Sequence, residues 1–80
     1  MKTHLLKLKP EYALAKLLGI KTFEIRLNDR DFHLDDLVKY SCPDDEFLNF
    51  ALKSRVYCIT YICDYEQKDG YIVFSDKVVL

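Results

Sequence analysis

The run from Arg55 to Cys63 constrains the fold more than any other part of the chain. Most of its residues are β-branched or aromatic, the types that favour strands: Val56, Tyr57, Ile59, Thr60, Tyr61 and Ile62. Successive side chains of a strand point to opposite faces, so both faces of this strand are apolar. We therefore predict that it lies in the centre of a sheet.

Shorter runs elsewhere predict the rest of the sheet. Leu6 and Leu8 share one side of a first strand. Asp69-Gly70 predicts a hairpin turn before a fifth strand. Polar turns are expected at 28–31 and 35–36. The other predicted strands are His4 to Lys9, Lys21 to Asn28, Leu37 to Tyr40 and Tyr71 to Ser75, with a last short pairing at Val78 to Leu80.

Two helices are expected. The first runs from Pro10, which suits the first helical position, to Leu18, and Gly19 ends it. Its apolar stripe is Leu14, Leu17 and Leu18, spaced at i, i+3 and i+4. Asp44 or Asp45 can cap a second, short helix that carries Phe47, Phe50 and Ala51 on one side.

These elements predict a single α+β domain over residues 1–80. We expect a small barrel-like sheet of five or six mostly antiparallel strands, with one helix after strand one and a second short helix. Closure into a barrel is one way for so small a sheet to protect its edges. The core is one modest cluster, because so short a chain buries little surface.

Several function classes find no support in the composition. No stretch is long and apolar enough to span a membrane. The three cysteines are odd in number and form no C-x-x-C motif, which favours free thiols in the cytoplasm. His4 and His33 lack metal-ligand spacing, and the acidic residues of the second half lie in turns and suggest solubilising charge. We expect neither metal nor cofactor.

The candidate site is the second strand with its flanks. Phe23, Ile25 and Leu27 form an apolar face, expected to be the core face, while Thr22, Glu24, Arg26 and Asn28 form a polar one. The plain interpretation is a solvated Glu24–Arg26 ion pair worth about 0–1 kcal/mol. Lys21 at the start of the strand and Asp29 and Arg30 after it extend the polar run on a rigid scaffold, which favours a functional site.

The distribution of charge along the chain suits a nucleic-acid ligand better than the net charge does. The net charge is −1, but residues 1–30 carry +4 and residues 31–80 carry −5, so one surface can be basic. The plain alternative is that the two halves interleave and cancel. Asn28 and Glu24 can bond a base edge, and Lys21, Arg26 and Arg30 can hold phosphates. Tyr57 and Tyr71 are candidate stacking surfaces, although packing in the barrel core or across strands is the commoner role for each of them.

The segment from Gly19 to Arg26 resembles the G-x-K-x-x-E-x-R motif of the ASCH domain, a branch of the PUA-like superfamily. Asn28-Asp29-Arg30-Asp31-Phe32, Leu8 to Tyr12 and Asp69 to Val73 are similar to a group of small stand-alone bacterial and phage relatives of unknown function. The resemblance implies a PUA-like β-barrel and a cleft beside the first helix that holds RNA. Its motif positions are Lys21, Glu24 and Arg26, and its extension is Asn28, Asp29 and Arg30.

Two further hypotheses remain open. One ASCH-like subgroup comprises amidohydrolases of N4-acetylcytidine, with the motif lysine as nucleophile and a threonine three residues later. Here that later position is Glu24, which tends to raise the pKa of Lys21 and disfavours attack. The chain departs from the group of small stand-alone relatives after the polar turn, where Asp35-Asp36 stands in place of the usual Gly-Asp. The apolar segment around Phe47 and Phe50 suggests an interaction module or a homo-oligomer interface.

Overall fold

A five-stranded sheet curls into a half-barrel and carries two helices, which confirms the predicted α+β class. The computed structural model describes residues 1–65 and 67–80. Its elements are β1 (Thr3–Lys7), α1 (Pro10–Leu17), β2 (Phe23–Leu27), β3 (Leu37–Ser41), α2 (Glu46–Lys53), β4 (Tyr57–Cys63) and β5 (Tyr71–Val78).

The strands lie in the order β1-β3-β4-β5-β2, so β4 is central, as its two apolar faces predict. β1 pairs with β3 in parallel, and the other three pairings are antiparallel. β1 and β2 are the two edges of the sheet. The predicted pairing at the C-terminal end is present, because Val56 and Leu80 exchange backbone hydrogen bonds beyond β5.

The first helix begins and ends as predicted, but its buried face is different. Pro10 is its first residue, and Gly19 takes the left-handed conformation, with a φ of 77°, just beyond the last turn. Leu14 and Leu18 are exposed, and only Leu17 of the predicted stripe packs against the core. The buried positions are Ala13 and Lys16, because Lys16 finds carboxylate partners inside the sheet.

The second helix is confirmed, with Asp45 as its cap. The Asp45 carboxylate accepts a hydrogen bond from the Leu48 backbone N–H at 3.0 Å. Leu52 is fully buried, and it fixes this helix against the core. Phe47 and Phe50 point to solvent, with 81% and 78% of their surface exposed.

Asp36 corrects the expectation that the acids of the second half serve solubility. It is buried and accepts hydrogen bonds from the His4 ring at 2.7 Å and from the backbone N–H groups of Lys2 and His33. Burial raises its pKa, but these hydrogen bonds outweigh burial and lower the pKa to about 2. The pair joins β1 to the turn before β3, which gives His4 a structural role.

The depressed pKa predicts a defined acid sensitivity. Because the folded pKa lies below the ordinary value of 3.8, the carboxylate stabilises the fold above about pH 4 and loses this effect by about pH 2. The shift corresponds to about 2 kcal/mol. In urea unfolding at a series of pH values, Asp36→Asn is expected to be less stable at neutral pH and to show a flatter acid limb than the wild type.

The exposed acid Asp69, in the connection between β4 and β5, supplies the control. Asp69→Asn removes one carboxylate without touching the buried pair, so the wild-type acid limb should persist. Equal acid limbs in Asp36→Asn and the wild type would contradict the assignment.

Candidate functional site

The two faces of β2 are reversed relative to the expectation from the sequence. Phe23, Ile25 and Leu27, expected in the core, are exposed, with Ile25 at 58%. Glu24 is 3% exposed and faces the interior, and Arg26 is half-buried beside it. Alternation defines two faces of a strand but does not decide which of them is buried. Here the buried ammonium of Lys16 gives Glu24 a partner in the interior.

Glu24 is the centre of a cluster of charges. Its Oε2 atom accepts from Lys21 Nζ at 2.6 Å and lies 3.0 Å from Lys16 Nζ. Its Oε1 atom has a longer contact of 3.4 Å with Arg26 Nη2. Three cations thus surround one carboxylate. This arrangement differs from the single solvated Glu24–Arg26 ion pair of the plain interpretation.

The inner half of the cluster lies in the core. Lys16 is 2% exposed, and its ammonium donates to both oxygens of Asp76, at 2.9 and 3.0 Å. The Tyr40 hydroxyl donates to Asp76 Oδ2. Burial, together with the charges of Asp76 and Glu24, raises the pKa of Tyr40 far above its usual range. Asp76, like Asp36, therefore does not serve as solubilising charge.

An open cleft of about 450 Å³ lies above this cluster. It is bounded on one side by the end of β1 and the start of α1 and on the other by β2. Lys21, Glu24 and Arg26 line it together with Lys7, Leu8, Lys9, Tyr12, Phe23 and Ile25. Tyr12 and Phe23 are half-exposed, and Lys21 Nζ lies 5.5 and 5.4 Å from the centres of their rings.

The remaining residues of the polar run lie elsewhere. Asp29 and Arg30 line a second cleft of about 350 Å³, which also includes Arg26. Asn28 lies in a third depression, with Tyr71, and its Oδ1 accepts from the Phe32 backbone N–H at 3.3 Å. The structure therefore divides the six candidate residues among three places. Tyr57 is buried, which excludes it as an exposed stacking surface.

Sequence reasoning missed several residues of the cluster and the cleft. Lys16 is the single charge in the apolar run from Ala13 to Leu18, and that isolation is a signal for a buried, paired lysine. Asp76 carries a similar signal, because it shares one face of β5 with the apolar residues Ile72 and Phe74, and all three are buried. Lys7, Lys9 and Tyr12 join the cleft only because β1 and α1 fold beside β2.

The fold and the cleft define a small α+β domain with a charged cleft at the open side of a half-barrel. Residues 3–75 match the profile of the family described as Domain of unknown function (DUF3850). The match covers most of the chain, so the protein belongs to this family. No curated protein matches the chain.

Two further findings concern the described residues, 1–65 and 67–80. Within them no helix is long and apolar enough to cross a membrane. In that same part of the chain no group of three or more His, Cys, Asp or Glu side chains is placed to hold a metal ion. Cys42, Cys58 and Cys63 are free thiols, as their number and spacing predict.

The buried cluster predicts a large effect of removing Lys16. Lys16→Met leaves Glu24 and Asp76 without their shared buried cation, which typically costs about 3–5 kcal/mol. Urea unfolding of this variant is expected to show such a loss. The double variant Lys16→Met/Asp76→Leu is expected to recover part of it, because it buries one uncompensated charge fewer.

Lys53→Met is the matched control, since Lys53 is exposed at the end of α2. Its stability should stay within about 0.5 kcal/mol of the wild type. A small loss in Lys16→Met, similar to that of the control, would show that the cluster is not a stabilising network.

Proposed function

We propose that this protein is a cytoplasmic ASCH-type, PUA-like domain that binds RNA or a nucleotide in the cleft above Glu24. The observation that carries the proposal is the cationic rim of this cleft. Lys7, Lys9, Lys21 and Arg26 line it, and Glu24 is the acidic residue among its lining. A phosphate is the ligand group that ammonium and guanidinium donors recognise best.

The aromatic side chains of the cleft support the same proposal. Tyr12 and Phe23 present partly exposed rings close to Lys21. Rings of this kind offer stacking surfaces for a nucleobase, typically worth about 1–3 kcal/mol per base. They take the role that the sequence suggested for Tyr57 and Tyr71.

Glu24 can contribute specificity at the floor of the cleft. Its Oε2 atom contacts two lysines, whereas among the described residues Oε1 has only the 3.4 Å contact with Arg26. A carboxylate oxygen has room for a further donor, and the exocyclic amino group of a base is such a donor. In this proposal the cations bind the phosphate of the ligand, and Glu24 accepts a hydrogen bond from its base.

The test is titration of labelled single-stranded RNA at low and moderate salt. Arg26→Ala is expected to weaken binding and to reduce the slope of log affinity against log salt concentration by about 1, as for one lost phosphate contact. Fluorescence anisotropy measures both quantities on the same samples.

Lys77→Ala is the matched control for Arg26→Ala, because Lys77 is an exposed cation on β5 outside the lining of the cleft. Binding by this control should equal that of the wild type. No binding of RNA at low salt, or equal binding by Arg26→Ala and Lys77→Ala, would refute the proposal.

The contacts of Lys21 favour recognition over the amidohydrolase alternative. A nucleophilic lysine attacks as the neutral amine. Lys21 Nζ instead donates to Glu24 Oε2 at 2.6 Å and to the Phe23 carbonyl at 2.8 Å, so it is held by two acceptors rather than free to attack a carbonyl carbon. Turnover of N4-acetylcytidine by the wild type that is lost in Lys21→Ala would restore the enzyme hypothesis.

Exposure of Phe47 and Phe50 supports self-association through α2 as a second proposal. Two large apolar side chains on one short helix are suited to packing against a second copy. Light scattering of the wild type is expected to show a mass that rises with concentration, and Phe47→Ser/Phe50→Ser should remain monomeric. A monomer at every concentration of wild type would exclude this interface.

A further inference from the structure

The two edge strands of the half-barrel face each other across a groove, and no backbone ladder joins them among the residues that the structure describes. On β2, the hydrogen bonds of Thr22 O with Asp76 N–H and of Asn28 N–H with Gly70 O set the pattern toward β5. Hydrogen-bonded pairs recur at every second residue of an antiparallel ladder. The backbone groups of Phe23, Ile25 and Leu27 therefore point away from β5, toward β1.

The first strand has the complementary arrangement. Lys2 O accepts from Leu37 N–H, and Leu8 N–H donates to Ser41 O, so the even-numbered residues bond to β3. The backbone groups of Leu5 and Lys7 consequently point toward β2. We call the groove between these two edge strands the seam.

The two clefts are adjacent parts of this seam. Both are lined by Lys7 and Arg26, and Arg26 Nη2 donates to the Lys7 carbonyl at 2.8 Å between them. The second cleft, of about 350 Å³, adds Arg30 and Asp29 along with Leu5, Leu6, Leu27 and Phe32. The seam is thus longer than one nucleotide-sized cleft, with a bridging guanidinium part of the way along it.

Charge along the seam favours a polyanion. Five cationic side chains line it against the acids Glu24 and Asp29: Lys7, Lys9, Lys21, Arg26 and Arg30. Glu24 is already surrounded by three cations, and Asp29 lies 3.9 Å from Arg30. A repeating phosphate backbone would match cations that are spread over both clefts better than one phosphate would.

We propose that the seam binds a single-stranded RNA segment of two or more nucleotides rather than an isolated nucleotide. One base lies in the first cleft, the following phosphate lies at Arg26 and Lys7, and the next nucleotide passes over Arg30 in the second cleft. The inference rests on the proposed function and extends its site to Arg30.

A peptide strand is a poorer fit to the same edges. Strand addition requires an extended backbone to lie beside β1 or β2 and pair with it. The Arg26 side chain crosses that gap to reach the Lys7 carbonyl, so it occupies the path of an added strand. The same guanidinium is positioned to contact a phosphate.

The test compares mixed-sequence oligoribonucleotides of one, two, four and eight nucleotides by fluorescence anisotropy at low salt. Affinity is expected to rise ~10-fold from one to two nucleotides, as a second base and a bridging phosphate are engaged. Duplex RNA should bind more weakly than the single strand of equal length, because the seam lies between two strand edges.

Arg30→Ala tests the second cleft directly. It is expected to weaken octanucleotide binding about 3- to 10-fold, with a salt slope lower by about 1, and to leave mononucleotide binding unchanged. Arg30 is half-exposed, so the fold should be retained, and Arg30→Glu should enlarge the effect. Lys77→Ala again serves as the matched exposed-cation control.

The outcomes separate the two proposals. Equal affinity for one and eight nucleotides, with no effect of Arg30→Ala, would overturn the extended seam and leave the nucleotide cleft intact. Equal or tighter binding of duplex RNA would also overturn it. Absence of binding at every length would overturn both proposals, and capture of an extended peptide in place of RNA would do the same.

Discussion

The contact of one buried ammonium with two buried carboxylates organises this domain. Lys16 on α1 meets Glu24 on β2 and Asp76 on β5, and Tyr40 on β3 completes the group. Removing these charges from water is costly, so the cost is offset only where all partners are in place. An arrangement in which β2 turned its apolar face inward would leave Lys16 and Asp76 without Glu24. The network therefore decides the orientation of the strand that lines the cleft.

Local patterns in the sequence were sufficient for most of the fold. The β-branched run of β4, Pro10 and Gly19 around α1, and Asp45 before α2 each act within a few residues, and each prediction is confirmed. The orientation of β2 depends instead on contacts between residues far apart in sequence, such as the one between Lys16 and Asp76. Hydrophobicity alone assigns Phe23, Ile25 and Leu27 to the core. It takes no account of the buried Lys16, whose ammonium pairs with Glu24 and so draws the polar face of β2 inward.

The same long-range contacts limited what could be predicted of the candidate site. Glu24 and Arg26 lie on β2 and Lys21 lies just before it, and the structure places all three along one cleft. In the sequence, Asn28 continues the alternation of polar residues, but in the structure it lies beyond β2 in a separate depression. Tyr12 comes from α1, and only the packing of that helix beside β2 brings its ring next to Lys21. A strand pattern can show which residues share a face but not which neighbouring element completes a site.

The open side of the half-barrel links the charge distribution to the proposed site. A closed barrel would pair β1 with β2 and leave no backbone group free. Here the gap is crossed by Arg26, which satisfies the Lys7 carbonyl and keeps a charged side chain on an edge that would otherwise be exposed to other strands. The cations of both clefts all come from residues 1–30, so the charge asymmetry along the chain becomes a basic surface in space. The side chain that protects the edges of this sheet is thus also one on which the proposed binding of a phosphate backbone depends.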